Sequence, residues 1–285
     1  MARCEDLLSP FYAAIDSELS SNSLNFPTSF DLIARATKVI DSPVSTVKDF
    51  ALLVQSEPVL MAKVLRMANS VAMNPYGREI PGAFEAVQRL GSKKIKCMVY
   101  LVVMEQVRQD TRSEELKKSA NIIWKHSLDV ACMSFMIAKH SGVCDADEAL
   151  LAGIMIDIGQ FFLISKLGCF PEIVEDPKCV TELIVKNHVR VAKQIIDTMK
   201  LPSVIIDVYN ANLKHHPVWP LADIEDVLML SDICTNFRNP FLQNVDDVKK
   251  RSFLGELSPS ESSDLDLLLE DIDELKVDLF NSMTH

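Results

Sequence analysis

The sequence predicts an all-α protein, a two-lobed helical bundle. Apolar residues recur at helical spacing almost throughout the chain, and no segment shows the alternation expected of a strand. Glycine is scarce, at 8 of 285 residues, whereas residues that favour helices are plentiful. Hydrophobic residues make up 48% and charged residues 24%, as in globular proteins with a sizeable core. We expect an N-terminal lobe over 1–110, a second lobe over 111–240 and an acidic C-terminal appendage over 241–285.

Capping residues, prolines and glycines set the predicted helices of the first lobe. Thr46 or its neighbour Ser45 caps one helix, and Ser56 caps the next. Pro58 lies in the first turn of that next helix, where its missing N–H costs no hydrogen bond. Gly91 separates two helices, because glycine readily adopts the left-handed conformation that ends a helix. The predicted helices cover 6–19, 29–40, 46–54, 57–71, 83–90 and 92–109.

The same signals organise the second lobe. Gly142 closes its longest helix, and Asp145 caps the helix that follows. Gly159 is expected to break or bend the chain, while Ser203 and Asp223 cap two later helices. The predicted helices cover 112–140, 146–157, 161–167, 181–199, 203–214 and 224–237.

The C-terminal appendage is strongly acidic. From Gly255 to His285 the chain has nine acidic residues and one basic residue, Lys276. Leucines from Leu265 to Leu279 fall at helical spacing, after a linker predicted at 258–260. Such a helix could dock on the body or on a partner, or the segment could be a solvated, partly disordered tail.

Charge and cysteine usage exclude several classes of protein. A net charge of −11 argues against nucleic-acid binding through phosphate neutralisation and against docking on an anionic membrane. The N-terminus lacks the apolar core of a signal peptide, so we expect a soluble cytoplasmic protein. None of the seven cysteines form a Cys-x-x-Cys pair, and we expect reduced core thiols. No glycine-rich nucleotide loop of known pattern is present.

Four motifs follow one another in a specific order. The first runs from Glu57-Pro-Val-Leu through Lys-Val-Leu-Arg to Ala-Asn-Ser70, and the second consists of Ile80 followed by Ala-Val-Gln-Arg-Leu-Gly91. The third is Trp124-x-His-Ser127, and the fourth is Leu151-Ala-Gly-Ile-Met-Ile-Asp-Ile-Gly159. Over roughly 24–240 this series resembles the HDOD domain, the HD-related output domain of bacterial signalling proteins. Glu57 stands where the family usually has Asp. In the first motif we expect Asn69 to be buried and bonded to the backbone around 73–80.

The resemblance implies a degenerate metal site. HD-superfamily phosphohydrolases hold a divalent metal through an early His, an adjacent His-Asp pair and a late Asp. Matched by motif, His126, Asp157 and Asp232 take three of these positions, and Ile156 replaces the remaining His. Isoleucine cannot bind a metal, so we expect this site to hold no cofactor. The alternative is that the remaining ligands still bind a divalent metal such as Fe, Mn, Ni or Mg.

Three further histidines extend this remnant set. Two-metal relatives that hydrolyse cyclic di-GMP use another His and a His-His pair, which His188 and the pair His215-His216 resemble. The Gly-Tyr-Pro signature of those relatives is absent. His126 and Asp232 could instead pair with each other in the interior, and the His pair could be exposed in a turn before Pro217.

The resulting functional prediction is a non-catalytic signalling or regulatory module that works through contact with unidentified signalling proteins. Two alternatives stay open. One is a metal-dependent phosphohydrolase acting on a nucleotide or cyclic dinucleotide, and the other is a sensor that binds a small ligand such as a nucleotide without turnover. The resemblance also implies that His126, Asp157 and Asp232 meet in space. We expect a protonated His126 to bond one of the two carboxylates, with Lys, Arg or water near the other.

Overall fold

The computed structural model describes residues 2–20, 30–109, 111, 113–198, 205 and 216–284, and every regular element among them is helical, as predicted. The region predicted as the first lobe contains α1 (Ala2–Ser20), α2 (Phe30–Ile40), α3 (Val47–Gln55), α4 (Pro58–Asn69) and α5 (Ala83–Gln109). Next come α6 (Glu114–Ser141), α7 (Ala146–Met155), α8 (Ile158–Leu167), α9 (Pro171–Val174), α10 (Pro177–Thr198) and α11 (Ile224–Cys234). The chain continues into α12 (Gln243–Glu256) and α13 (Pro259–Thr284). The division into lobes at 110 and 240 stays a prediction.

Several predicted helix ends are confirmed. The N–H of Thr46 donates to Asp49 at the start of α3, at 2.8 Å. Asp145 caps α7 by accepting two backbone N–H groups at 3.0 Å. Gly142 ends α6 with φ of +70°, and Gly91 bends α5 with φ of +78°. At both glycines a side chain would be strained, which is why the chain can change direction there.

Other predicted boundaries are wrong. Ser56 ends α3 by donating its N–H to Leu52, so Glu57 is the residue that precedes α4. Ser258–Ser260 is not a linker, because α13 already begins at Pro259. Helix α12 is not predicted from the sequence, since it carries no apolar stripe. The predicted first residue of the helix over 29–40 and the predicted helix over 203–214 lie outside the described residues, apart from the isolated residue 205.

Gly159 does not break the chain. The interruption lies at Ile156 and Asp157, and Gly159 belongs to α8. A Cβ at Gly159 would stand 2.0 Å from the carbonyl oxygen of His188, so glycine allows α8 to pack directly against α10. Gly153 similarly lets α7 approach α6, where a Cβ would lie 2.4 Å from the Cα of Ala131. These contacts bring α6, α8 and α10 together around one region of the second lobe.

The acidic C-terminal helix α13 docks on the body of the protein. Its apolar stripe is buried against α4 and α6, including Leu265, Leu268, Ile272, Leu279 and Met283. Lys63 on α4 donates to the carbonyl oxygen of Met283 at 2.8 Å and pairs with Glu105 at 3.2 Å. Of the alternatives that the sequence leaves open, the structure therefore has docking on the body.

Two features bear on the compartment. Five cysteines are free thiols, but Cys179 is disulfide-bonded, so the prediction of reduced thiols is wrong for that residue. The stretch Ala146–Leu167 has the length and hydropathy of a membrane span, yet 83% of the tested window is buried inside the protein, as in a core segment.

Candidate functional site

His126 lies between two carboxylates in the interior. Its Nδ1 is 2.8 Å from Oδ2 of Asp157, and its Nε2 is 3.1 Å from Oδ1 of Asp232. The three residues come from α6, from the α7–α8 junction and from α11. His126 is 1% exposed and Asp157 3% exposed, so this ion-paired group is shielded from water on most sides. We call these three residues the His126 cluster.

Asp157 is compensated by further polar side chains. Its Oδ2 lies 2.7 Å from the hydroxyl of Ser127, and its Oδ1 accepts hydrogen bonds from Gln160 at 2.7 Å and Asn239 at 3.1 Å. The break between α7 and α8 places this carboxylate at a helix start, where it faces α6. A buried carboxylate with this many donors is held in one orientation.

The electrostatics favour a charged imidazole. Burial on its own lowers the pKa of His126, but the charge and hydrogen bond of Asp157, followed by those of Asp232, raise that pKa well above its usual range. The direction of this shift favours the charged form of the imidazole while no metal is bound.

The donor set differs from the one that the resemblance to HD phosphohydrolases implies. His126 faces carboxylates with both nitrogens, Asp157 is saturated with donors, and Ile156 cannot be a ligand. Within 2–20, 30–109, 113–198 and 216–284, no group of three or more His, Cys, Asp or Glu side chains is arranged to hold a metal ion. The cluster instead resembles a buried salt bridge that fixes three helices relative to one another.

The other histidines predicted for the remnant metal site do not all lie near the His126 cluster. His188 is near the cluster, and its Nδ1 donates to the carbonyl oxygen of Ile184 at 2.9 Å. His216 lies apart from the cluster, with Nε2 3.0 Å from Glu256 and Nδ1 3.0 Å from the carbonyl oxygen of Pro217. The expectation that it joins the remnant site is therefore wrong, because the turn before Pro217 directs it toward α12. His215 lies outside the described residues.

A cavity of about 220 Å³ opens beside the His126 cluster. It lies between the α7–α8 junction, α10, α11 and α12. Its polar lining comes from Asp157, Gln160, His188, Asp232, Asp246 and Lys249. Its apolar lining comes from Ile156, Val185, Val189, Leu228, Met229, Leu242 and Val245.

Asp246 is a cavity residue with strongly perturbed acidity. Burial, followed by the nearby charge of Asp232, raises the pKa of Asp246 to about 8. A carboxyl group held this way in a cleft is typical of functional sites. Sequence reasoning misses this residue, because it lies on the unpredicted helix α12. Gln160 has a weak signal, since it follows Asp157 by three residues and so lies on the same face of a helix.

The family follows from a comparison of the sequence with family models. The HDOD domain model matches residues 26–215, which is more than half of the chain. The chain belongs to the HDOD family. No curated protein is detectably similar in sequence.

Solved structures support the same fold for this HDOD protein. A "Putative metal-dependent phosphohydrolase" from Shewanella amazonensis SB2B is 20% identical, with a TM-score of 0.72 over 98% of this chain and 100% of its own. An HDOD domain protein with unknown function from Geobacter sulfurreducens is 20% identical, with a TM-score of 0.61 over 95% of this chain and 96% of its own. A "Putative signal transduction protein" from Marinobacter aquaeolei VT8 is 18% identical, with a TM-score of 0.54 over 100% of this chain and 66% of its own.

The HDOD motif at the end of α4 is a structural connection. Asn69 donates from Nδ2 to the carbonyl oxygen of Ile80 at 2.9 Å and accepts the N–H of Ile80 at 2.8 Å. The predicted bond to this segment is thus confirmed. The predicted burial is wrong, since Asn69 is exposed at the helix end. Its amide therefore mimics a backbone partner and fixes the loop that leads into α5.

Proposed function

We propose that this HDOD protein is a non-catalytic signalling module that acts through contacts with other proteins. The observation that carries the proposal is the state of His126, whose two ring nitrogens face Asp157 and Asp232. An HD hydrolase needs an imidazole in this place to bind a metal that acidifies water. Here the imidazole is committed to an ion pair, and Ile156 occupies the neighbouring ligand position.

The N-terminal lobe supports a role in protein contact. Apolar side chains are exposed on α3, α4 and the loops beside them, among them Tyr76 at 92%, Val44 at 82% and Leu52 at 55%. Aromatic side chains that protrude in this way are enriched where proteins bind one another. We propose that this lobe contacts the signalling partner. We also propose that the protein works in the cytoplasm, because five of its cysteines are free thiols, although Cys179 is disulfide-bonded.

Two alternatives remain to be tested against this proposal. The name of the Shewanella structure favours a metal-dependent phosphohydrolase, although 20% identity extends only to the fold. The cavity beside the His126 cluster favours a sensor for a small ligand, because it combines apolar walls with a few polar groups.

Metal content and turnover of the purified protein test the proposal. We expect no stoichiometric Fe, Mn, Ni or Mg by elemental mass spectrometry and no hydrolysis of chromogenic phosphomonoesters or phosphodiesters. The variant Ile156→His adds an imidazole beside Asp157 and should bind Mn²⁺ at least about tenfold more tightly than the wild-type protein. Ile156→Leu, which keeps the side chain apolar, is the matched control. Stoichiometric metal together with turnover by the wild-type protein would replace our proposal with the hydrolase.

A further inference from the structure

The cavity beside the His126 cluster contains a polar atom without a partner. Gln160 is 1% exposed and lines the cavity, and its Oε1 has no hydrogen-bond partner among the described residues. Buried polar atoms in folded proteins nearly always have one, because desolvation without compensation is costly. The cavity beside Gln160 has room for a donor that completes this acceptor.

The orientation of this amide is fixed. Its Nε2 donates to Oδ1 of Asp157 at 2.7 Å, and a carboxylate can only accept, so oxygen and nitrogen cannot exchange places. The oxygen therefore points away from Asp157. Gln160 presents an acceptor, not a donor, to whatever occupies the space beside it.

The other polar groups of the cavity are also mainly acceptors. His188 donates Nδ1–H to the backbone carbonyl of Ile184, so this ring nitrogen is not available to a ligand. Asp232 and Asp246 supply carboxyl groups, and the raised pKa of Asp246 reflects first its burial and then its proximity to Asp232. Lys249 adds a basic group to the lining. The carboxyl group of Asp232 and the amide oxygen of Gln160 offer acceptors to a cation, and Asp246 adds a negative charge once it ionises.

The apolar lining of the cavity favours a hydrocarbon part in the ligand. Ile156, Val189 and Leu242 line the cavity, so the replacement of the metal-binding His of the superfamily by Ile156 adds hydrocarbon surface. The volume of about 220 Å³ is below the range of roughly 300–1,000 Å³ that is usual for larger organic ligands. A short aliphatic chain matches both the size and the apolar walls.

We propose that this cavity binds a small organic cation, a short aliphatic primary ammonium whose N–H groups bond to Gln160, Asp232 and Asp246. Its alkyl chain lies against Ile156 and the valines of α10. This inference goes beyond the proposed signalling function and does not depend on it, since a protein without catalysis and a protein with catalysis could each bind such a ligand.

Calorimetric titration with n-pentylammonium chloride tests the proposal on the full chain. We expect saturable binding to the wild-type protein, and binding at least about tenfold weaker, or absent, in Asp246→Asn. Asp247→Asn is the matched control, because the adjacent Asp247 pairs with Arg238 at the surface and does not line this cavity. This control should bind like the wild type. Asp246→Lys, which brings a cation of its own, should abolish binding, and thermal melts establish that each variant is folded.

Probes of other charge complete the test. Uncharged 1-pentanol should bind more weakly than pentylammonium, and pentanoate and inorganic phosphate should not bind. Equal affinity of the amine for Asp246→Asn and Asp247→Asn would overturn the proposal, as would binding of pentanol or phosphate as tight as that of the amine. Mn²⁺ that binds the wild-type protein and excludes the amine would assign the cavity to a metal instead. None of these readouts involves hydrolysis, so the two proposals fail separately.

Discussion

Two groups of buried charges lie close together along α6 and behave differently. One is the His126 cluster. The other, which we call the Lys276 cluster, consists of Lys276 on α13, Asp129 on α6 and Thr235 after α11. Lys276 lies 3.3 Å from Oδ1 of Asp129, whose Oδ2 accepts the hydroxyl of Thr235 at 2.8 Å and the N–H of Asn236 at 2.9 Å.

The difference between the clusters lies in what surrounds them. Lys276 and Asp129 are each 2% exposed, and neither lines the cavity. The His126 cluster instead borders open space, where the Gln160 acceptor has no partner within the described part of the chain. Buried charge by itself therefore does not mark a binding site in this protein. A binding site is indicated where buried charge borders a cavity and a polar atom there has no hydrogen-bond partner.

The largest expected effect comes from breaking the Lys276 cluster. Asp129→Ala leaves the ammonium of Lys276 buried without its main partner and should lower the free energy of unfolding by about 3–5 kcal/mol. Chemical denaturation measures this change. Asp273→Ala is the control, because Asp273 is an exposed partner of the same lysine at 3.6 Å, and it should cost only about 0–1 kcal/mol. Similar losses for both variants would mean that α13 is not held by the buried pair.

The second effect concerns the His126 cluster. His126→Ala removes the imidazolium between Asp157 and Asp232 and should lower the free energy of unfolding by about 1–3 kcal/mol. We expect a smaller loss than in the Lys276 cluster, since Asp157 keeps three other hydrogen-bonding side chains. His140→Ala, at an exposed position of the same helix, should change stability by about 0.5 kcal/mol or less. A negligible effect of His126→Ala would contradict a structural role for the cluster.

The fold could be predicted from the sequence, because caps and glycines are local signals. Asp145 and Gly142 mark helix ends as expected for this reason. The meeting of His126, Asp157 and Asp232 is implied only by the resemblance to the HD superfamily. The cavity could not be predicted in the same way. Gln160 and Asp246 reach the cavity only through the packing of separate helices. Helix α12 also lacks the apolar periodicity from which a helix can be predicted. The prediction for Gly159 is wrong because glycine has two uses. It can end a helix, but it also occurs where two helices pack closely, and Gly159 serves the second purpose.

A smaller effect should appear in the pH dependence of stability. The pKa of His126 is raised in the folded protein above its unfolded value of about 6.5. Its contribution is therefore complete below pH of about 6.5 and is lost as the pH rises through the folded pKa. The stability difference between the wild type and His126→Gln, measured by denaturation across this range, should shrink as the pH increases. A difference that stays constant would show that His126 does not hold its extra proton in the fold.

The smallest effect distinguishes the cavity from both clusters. The pKa of Asp246 is about 8 in the folded protein, against about 3.9 in an unfolded chain. The folded state therefore holds a proton that the unfolded state has released, and wild-type stability falls as the pH rises from about 4 through about 8. An asparagine side chain at this position has no such proton, so Asp246→Asn should gain stability relative to the wild type over this interval, by about 1 kcal/mol after solvent screening.

Denaturation of Asp246→Asn and Asp247→Asn at several pH values provides the measurement. The Asp247→Asn control changes a surface carboxylate paired with Arg238, and we expect no comparable slope. A site that binds a cation needs an acid whose charge is costly until the ligand arrives, so the gain of Asp246→Asn at high pH should accompany its loss of amine binding. If stability and amine binding both stayed unchanged in this variant, Asp246 would be an ordinary surface acid, and the cavity would differ from the clusters only in its shape.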